Sequence, residues 1–600
     1  MSVGIRTAVP VAAEQVHPAS FRPPLPVPVP RANAEQDVLT PSSPPVVSRV
    51  AAGVAVATAI AVPELLHAAM ALNRAPNPAA AKASLAGPVG LSRSQAGRLL
   101  GQATMGASPA DIISVQTLGM AKWVDQQIAM PRVISLWDWL VSKGYLDGPL
   151  AGSGDLMDVA LWHEAITAND QLRQRVGHSL LDIFVVSAEN IQTTRGFNMA
   201  AYIDILMDGA FGSFRQLLGN IAANVSMANF LSFLNSDRAD PSSGTHPDEN
   251  FAREVMQLFT IGLYKLNPDG SRQLQSGVPI ETYTQADISG LARVFTGWTW
   301  PQGDLSNPAT YRLPVIQHNY ASYETGAKTF LGTTIAAGTD AITCRDLALD
   351  TLCAHPNVGP FIGRQLIQRL VTSNPSPAYI GRVSAIFAND GKGVRGNLGA
   401  VIRAILLDPE ARAGDAPSAT RSVSWGRLRT PTQRITNWAR AFSATSPSDT
   451  WPIGNVSTPW VLLGQSPGHA PSVFNFFRPG YAPPGSPIAT QGLVAPEMQI
   501  TTEPTLFSYL NYIPRMISGN LWANDIRGDY SAMLALRGNA AAIINEINVT
   551  LAAGQLSLTT TTKLTAAIST ISTATADGLK TQLYAAITLV MSCPEYLVQK

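Results

Sequence analysis

The chain has 600 residues, of which 46% are hydrophobic and 14% charged, so it can bury a sizeable core and lacks the composition of a disordered protein. Its 42 Lys and Arg residues against 41 Asp and Glu residues give a formal net charge of +1, and no basic run stands out, which argues against a nucleic-acid partner. The three cysteines form no CxxC pair, so a thiolate zinc site has no support.

The first 89 residues differ in composition from the rest. Residues 21–45 are rich in Pro and lack periodicity, which predicts an extended leader. The uncharged run Val50–Val62 is shorter than the roughly 20 residues of a membrane span and is typical of a signal-peptide core. Ala69-Met70-Ala71 then provides a small-residue cleavage site.

We therefore expect a leader over residues 1–89, with a signal or anchor segment at 50–71 and cleavage before Leu72. The protein would be exported to the periplasm or the extracellular space, and it would associate with a membrane only through this segment if the segment is not cleaved. The segment before Val50 is longer than in an ordinary signal peptide. An Ala-rich soluble helix in a cytoplasmic protein is therefore the alternative.

From residue 90 onward, apolar positions recur at helical spacing between short Gly/Pro breaks. No long polar linker interrupts the pattern, which predicts one large, mainly α domain over 90–600 with long Pro/Gly-rich loops and little or no sheet. Irregular stretches are expected at 235–247, 264–282, 301–341 and 445–505, and a polar connection at 556–562. The predicted helices are 95–100, 109–118, 120–128, 161–168, 172–190, 199–207, 214–224, 228–234, 343–353, 359–370, 379–389 and 398–407, with more after Gly528.

Residues 246–262 form the first of two distinctive segments. Pro247 is tolerated in a first helical turn, and Asp248 lies where the helix dipole favours negative charge. Gly262 is a natural C-terminal stop. The predicted helix has a buried apolar stripe made of Phe251, Val255, Leu258 and Phe259.

Residues 283–298 form the second segment. Thr284, with Asp287 three residues later, resembles a capping box. Gly297 is expected to end this helix before Trp298. Its apolar face consists of Ile288, Leu291, Ala292 and Phe295.

Together the two segments resemble the signature of a large bacterial family named domain of unknown function 1800. Further blocks similar to that family lie at 209–218, 226–231, 464–497 and 589–596, so the resemblance covers roughly residues 90–600. This chain has Asp248, Gln257 and Asn319 where the family usually has Asn, Glu and Asp.

The resemblance also has implications for location and partners. Members of this family are frequently exported, and they are often encoded beside another exported family, domain of unknown function 1501. A protein of that second family is therefore the first partner to expect.

Charged residues on the two segments suggest a link between them. Glu249 and Arg253 are four residues apart and are expected to pair along one helix. This leaves Glu254 free to pair with Arg293, because a charge beside an apolar stripe is costly to bury alone. The sequence therefore predicts a structural Glu254–Arg293 pair. Taken as a candidate polar site instead, the residues are Glu254, Asp287, Arg293 and His318.

The loop over 235–250 is rich in oxygen-bearing side chains. Ca²⁺ and Mg²⁺ prefer oxygen ligands, so the loop is a candidate site for either cation, although its spacing matches no EF-hand. A solvated acidic loop with local Asx turns is the simpler interpretation. The candidate metal ligands are Asp237, Asp240, Asp248 and Glu249.

Gly464-Gln465-Ser466-Pro467-Gly468 matches the G-x-S-x-G pattern of a hydrolase nucleophile elbow. However, Pro467 has no backbone N–H for an oxyanion hole, and Pro471 prevents the long helix that should follow. A serine hydrolase is therefore not supported, and no nucleotide-binding motif occurs in the chain. The sequence favours an exported, non-enzymatic protein that binds a partner protein or a surface polymer. The alternative is a divalent-metal-assisted hydrolase that uses the loop 235–250 and His318.

Overall fold

The computed structural model describes residues 90–146, 153–191, 195–303, 307–317, 321–415 and 424–600. It is 54% helical and has only short strands, which confirms the mainly α fold. The predicted leader with its segment 50–71, and also His318 and Asn319, lie outside the described residues. In the part of the chain that is described, no helix combines the length and the apolar character needed to cross a membrane.

Many of the helices begin at a Ser, Thr, Asp or Asn whose side chain accepts a hydrogen bond from a backbone N–H of the first turn. At Ser108, for example, the hydroxyl accepts from Asp111 N at 3.1 Å and Asp111 bonds back to the cap. The first half of the described chain contains α1 (Arg93–Ala103), α2 (Pro109–Leu118), α3 (Met120–Ala129), α4 (Leu136–Ser142), α5 (Asp155–Thr167), α6 (Gln171–Leu181), α7 (Arg195–Gly209), α8 (Phe214–Ala222), α9 (Val225–Phe230), α10 (Asn250–Gln257) and α11 (Gln285–Ala292).

The second half of the described chain also consists of helices, and some of the loops between them are longer. It contains α12 (Ala341–Ala354), α13 (Val358–Leu370), α14 (Pro377–Ala388), α15 (Leu398–Leu407), α16 (Pro409–Arg412), α17 (Pro431–Ala441), α18 (Pro487–Thr490), α19 (Glu503–Ile517), α20 (Ser531–Leu534), α21 (Ala540–Ala552), α22 (Leu558–Ser569), α23 (Ala576–Ser592) and α24 (Pro594–Leu597).

The strands form short antiparallel pairs that close loops and do not build a layer. One pair brings the end of the chain beside α17, because Arg427 is opposite Gln599 and Leu428 is opposite Val598. The pairs in the described chain are β1 (Leu274–Gln275) with β2 (Val278–Pro279), β3 (Trp298–Thr299) with β4 (Ile316–Gln317), β5 (Lys328–Phe330) with β6 (Thr333–Ile335), and β7 (Arg427–Leu428) with β8 (Val598–Gln599).

The buried apolar side chains form two clusters. The larger cluster extends along the chain from Ala96 in α1 to Ala411 in α16. The second cluster is built by α17, α19, α21 and α23, and Trp162 of α5 reaches into it. The two clusters are therefore linked by α5, which contributes side chains to both.

The two distinctive segments pack against each other through aromatic rings. The ring of Phe251 in α10 lies 4.6 Å from that of Phe295, and both contact Phe233. The capping box at Thr284 and Asp287 is confirmed. The first helix is shorter than predicted, because it ends at Gln257 and Gly262 follows five residues later in a turn with φ of 71°.

Two local predictions are wrong. Residues 558–562 begin α22 instead of forming a polar connection, because the hydroxyl of Ser557 caps the N–H of Thr560 and the helix packs on α21 and α23. The helix predicted over 172–190 ends at Leu181. The sequence pattern also missed α4, α17 and α19. α4 has only seven residues, too few to show a clear periodicity, and α17 buries polar side chains as well as apolar ones.

The block 464–497 packs on the helical body through some of its aromatic side chains. Phe477 is buried, whereas Phe474, Phe476 and Tyr481 are half-buried. The three cysteines are free; Cys344 and Cys353 share α12, as expected.

Gly290 provides a test of the packing between α11 and β5. A Cβ at this position would lie 1.9 Å from the carbonyl oxygen of Thr329, which belongs to the backbone and cannot rotate away. We expect Gly290→Ala to destabilise the fold by about 3 kcal/mol, as other overpacked sites do. Chemical denaturation followed by circular dichroism measures this loss.

Gly219→Ala in α8 is the matched control, since its new Cβ would meet only the flexible guanidinium of Arg215 at 3.1 Å. Because Ala favours a helix over Gly by about 1 kcal/mol, this variant should be as stable as the parent or more stable. Equal stability losses in both variants would contradict the close packing at Gly290.

Candidate functional site

The predicted metal ligands bind protein donors or face solvent. Asp240 accepts hydrogen bonds from the backbone and hydroxyl of Ser242 at 2.8 and 2.7 Å, which is an Asx turn. Asp248 accepts from Asn250 N at 2.8 Å, and Asp237 is exposed. Among the described residues, no group of three or more His, Cys, Asp or Glu side chains could hold a metal ion. Binding of Ca²⁺ or Mg²⁺ here stays a prediction.

Glu249, and not Glu254, joins the two distinctive segments. Its carboxylate accepts from Ser289 Oγ at 2.6 Å and from Gln285 Nε2 at 2.8 Å, both in α11. It also pairs with Arg253 at 3.2 Å, which confirms that predicted pair. Burial alone would raise the pKa of Glu249, but these hydrogen bonds and the charge of Arg253 lower it.

The predicted Glu254–Arg293 pair is wrong. Arg293 lies just after α11 and pairs with Glu324 at 3.4 Å, because the loop over 321–326 lies closer to it than α10 does. Glu254 is buried, and its Oε2 has no hydrogen-bond partner among the described residues. Asp287 has a local role, since its Oδ1 also accepts from Leu331 N at 2.7 Å and so fixes the β5–β6 turn.

These candidate residues therefore serve separate contacts and do not form one site in the described chain.

A different group of polar residues surrounds a cavity of about 30 Å³ that lies between α6, the start of α17 and the segment 465–476; we call it the polar cavity. One water needs about 10–15 Å³ measured in this way, so the polar cavity has room for more than one water. Its lining is Met105, Arg175, His178, Leu181, Asp182, Val186, Arg427, Thr430, Thr432, Gln433, Gln465, Ser466, Pro467, Gly468, Ala470, Asn475 and Phe476.

Two of the lining residues are buried arginines. Arg427 is held by β7, where pairing with the C-terminal strand fixes its backbone, and its guanidinium pairs with Glu497 at 2.7 Å. Among the described residues, Arg175 in α6 donates only to backbone carbonyls, at 3.4 Å to Gln102 and 2.5 Å to Arg369. No carboxylate in the described chain lies within 4.0 Å of Arg175, and burial lowers the pKa of its guanidinium.

Asp182 and His178 complete the titratable groups of the lining. Burial raises the pKa of Asp182, and the charges of Arg369, Arg427 and Arg175 oppose this. Its carboxylate accepts from Asn475 Nδ2 at 2.7 Å. Burial and the charge of Arg175 lower the pKa of His178 to about 4, so its imidazole is neutral near pH 7.

The segment 464–468 forms part of the wall and has none of the geometry of a nucleophile elbow. Residues 454–485 contain no helix or strand, so neither the strand before Ser466 nor the helix after it exists. The Ser466 hydroxyl is fully buried and has no hydrogen-bond partner in the described chain, which includes His178. No base therefore activates it in this structure.

His469 anchors this wall to the helical body. Its Nε2 lies 2.9 Å from Asp158 Oδ1 in α5, and its Nδ1 lies 2.9 Å from Glu189 Oε1. The carbonyl of Gly468 also accepts from Ala188 N at 2.9 Å. Burial alone would lower the pKa of His469, but the hydrogen bonds and charges of Asp158 and Glu189 outweigh it and raise the pKa.

Gly468 is required for this close approach. It has φ of 76°, and a Cβ there would lie 2.5 Å from Met157 Sδ. The sequence indicates a hydrolase-like motif and a family-like block in this segment, but not its role as a cavity wall. One sequence feature could have indicated the cavity: residues 171–178 and 427–434 are rich in Arg, His and Gln. Segments that pack only on an apolar core are usually less polar than this.

Comparisons with known proteins give a family and no function. The model of the family described as Protein of unknown function (DUF1800) matches residues 98–598, and the chain belongs to this family. No curated protein and no solved structure matches the chain.

Glu254→Gln tests whether a buried, unpaired carboxylate lies in α10. Burial raises the pKa of Glu254 above its unfolded value, so the penalty for its charge is absent at low pH and grows as pH rises through the folded pKa. We expect Glu254→Gln to raise the thermal unfolding midpoint at pH 8, with a gain in the free energy of unfolding on the order of 1 kcal/mol. At pH 4 the substitution should change the midpoint little.

The same substitution at Glu249 is the control. Glu249→Gln removes a charge that accepts from Ser289 and Gln285, so it should lower the midpoint at pH 8. A lower midpoint at pH 8 for Glu254→Gln would mean that this carboxylate has a stabilising partner.

His469→Gln tests the anchor of the wall. Because the folded pKa of His469 is raised above its unfolded value near 6.5, its contribution is complete below that pH and is lost as pH rises through the folded pKa. We expect the free energy of unfolding of the parent to exceed that of the variant by roughly 1.5–3 kcal/mol at pH 6 and by less at pH 9. Thermal unfolding at both pH values measures the difference.

His178→Gln is the matched control, because the pKa of His178 lies at about 4 and its ring stays neutral over this range. Because the unfolded ring still titrates near 6.5, the parent should lose stability relative to His178→Gln as the pH falls from 9 to 6, which is the opposite direction to His469→Gln. A difference for His469→Gln that does not grow from pH 9 to pH 6 would exclude a charged imidazole in the anchor.

Proposed function

We propose that this member of the family is an exported, non-enzymatic binding protein that holds a partner protein or a surface polymer at the polar cavity. One observation carries the proposal: three lining side chains have buried polar atoms without hydrogen-bond partners in the described chain, namely His178 Nε2, Gln465 Oε1 and Ser466 Oγ. Buried polar atoms are almost always hydrogen-bonded, so these three atoms are the contacts that the wall offers to a bound group.

The chemistry of the cavity favours binding over catalysis. Ser466 has no activating base, and Pro467 offers no N–H to an oxyanion. The ring of His469 is already held on both sides by carboxylates. An uncommitted nucleophile–base pair is what a hydrolase of this type needs, and the cavity lining has none.

The surface beside the wall supports contact with a macromolecule. Trp460 and Val461, just before the wall, are 76% and 69% exposed. Exposed aromatic side chains beside a polar site are typical of interfaces, where they contribute large apolar area. Export is supported by the run Val50–Val62 and by the family resemblance. No observation on the described residues favours the metal-assisted hydrolase.

The test is capture of the tagged, full-length chain from its native host, with partners identified in the envelope and extracellular fractions. Asn475→Asp keeps the size of a cavity side chain, tolerates the φ of 58° and places a second carboxylate beside Asp182. We expect a specific partner or polymer with the parent, and about tenfold less with Asn475→Asp, because the new carboxylate cannot donate to Asp182 and repels it within the cavity.

Asn520→Asp makes the same charge change at an exposed residue and should capture as the parent does. Ser466→Ala, which only removes a buried hydroxyl, serves as a second cavity variant if Asn475→Asp fails to fold. Equal capture by the parent and both cavity variants, or capture of cytoplasmic proteins alone, would overturn the proposal.

A further inference from the structure

The polar cavity has more buried positive charge beside it than negative charge. Arg175 and Arg369 are both buried, and neither has a carboxylate within 4.0 Å in the described chain. Arg427 is paired, but only with Glu497. A buried charge without a counter-charge costs several kcal/mol, so this excess needs an explanation.

The one carboxylate in the lining is too few to balance these groups. Asp182 interacts electrostatically with Arg175, Arg369 and Arg427 together, yet it lies beyond 4.0 Å from the guanidinium nitrogens of all three. Its oxygen instead accepts from Asn475 at 2.7 Å. The neutral His178 contributes no charge near pH 7. A site for one more negative group therefore lies among these side chains.

Unused hydrogen-bond donors surround this site. Arg175 makes two hydrogen bonds, both to backbone carbonyls, and a guanidinium has more N–H groups than these contacts use. Within the described ranges, the guanidinium of Arg427 likewise donates only to Glu497 and Gln433. The Ser466 hydroxyl is buried and unpartnered in the described chain, so it adds a further donor to the same wall.

We infer that the polar cavity binds an oxyanion group, a phosphate, sulfate or carboxylate, through Arg175, Arg427 and Ser466. This inference rests on the proposed function, to which it adds the chemical class of the group that enters the cavity. Guanidinium groups match these anions because their planar N–H forks bind two oxygens at once. The volume of about 30 Å³ is that of a few water-sized groups, so the interior excludes any ligand larger than a small anionic group.

The side from which the group enters follows from exposure. Most of the lining is buried, but Asp182, Pro467 and Phe476 are half-buried. The cavity therefore approaches solvent where the segment 465–476 meets the end of α6. A group at the end of a longer molecule enters here, with the remainder of the molecule outside.

The experiment measures the thermal unfolding midpoint of the purified full-length chain with sodium phosphate, sulfate or acetate, at constant ionic strength against chloride. A ligand of the folded state raises the midpoint in a saturable way. We expect at least one anion to do so with the parent. Asn475→Asp supplies an internal carboxylate and should weaken the apparent affinity at least tenfold, whereas Asn520→Asp should leave it unchanged.

Ser466→Ala should also weaken the affinity, and it keeps the test decisive if Asn475→Asp is unstable. Phenyl phosphate distinguishes the sources: saturation by this monoester indicates a terminal group of a larger molecule, and response to inorganic phosphate alone indicates the free ion. No saturable response would show that the cavity binds none of these anions. An equal response in the parent and both cavity variants would mean an adventitious ion only. Either outcome would overturn the inference.

The outcome is separable from that of the proposed function. If a partner is captured but none of the three anions raises the midpoint, the oxyanion inference is wrong and the proposed binding function stands. A response that the cavity variants lose, without any captured partner, leaves the anion site and removes the proposed partner binding.

Discussion

The fold depends on buried arginine side chains that satisfy the ends of neighbouring helices. The last carbonyls of an α-helix have no intrahelical partner, and a buried helix end must find donors elsewhere. Arg175 donates to the carbonyls of Gln102 at the end of α1 and Arg369 at the end of α13. Arg440 in α17 donates in the same way to Ile166 at the end of α5.

The same contact recurs through the described chain. Arg173 donates to Met207 near the end of α7 and to Met130 after α3, and Arg98 donates to Ala411 in α16. The guanidinium suits this task because one planar group presents several fixed donors and also carries the positive charge that a helix C-terminus favours. Lysine has a single rotating ammonium and cannot join two helix ends at fixed geometry.

These contacts mark the boundary of what the sequence predicts. The mainly α fold and the capping box at Thr284 follow from residues a few positions apart, and both are confirmed. The partners of Arg175 are 73 and 194 residues away along the chain, so no local pattern indicates them. Arg293 illustrates the same limit, because its actual partner Glu324 lies in a stretch that reads as irregular.

Tertiary packing also overrides composition in two places. The threonine-rich start of α22 has weak helix propensity, yet a cap at Ser557 and contact with α21 and α23 make it helical. The segment 464–477 has the Pro and Gly content of a free loop, and it lacks regular structure. It is nevertheless held on the body by the bonds of His469 and Asn475 and by the burial of Phe477.

The candidate site arises from these two features together. Helix-end arginines near the middle of the fold bring more positive charge than the local carboxylates balance, and the loop closes over them to leave a polar cavity. The two parts respond differently to pH, because guanidinium groups stay charged while the raised pKa of His469 makes the anchor of the loop titratable. The charge that attracts a ligand is thus fixed, whereas the hold on the wall above it weakens as the imidazolium loses its proton.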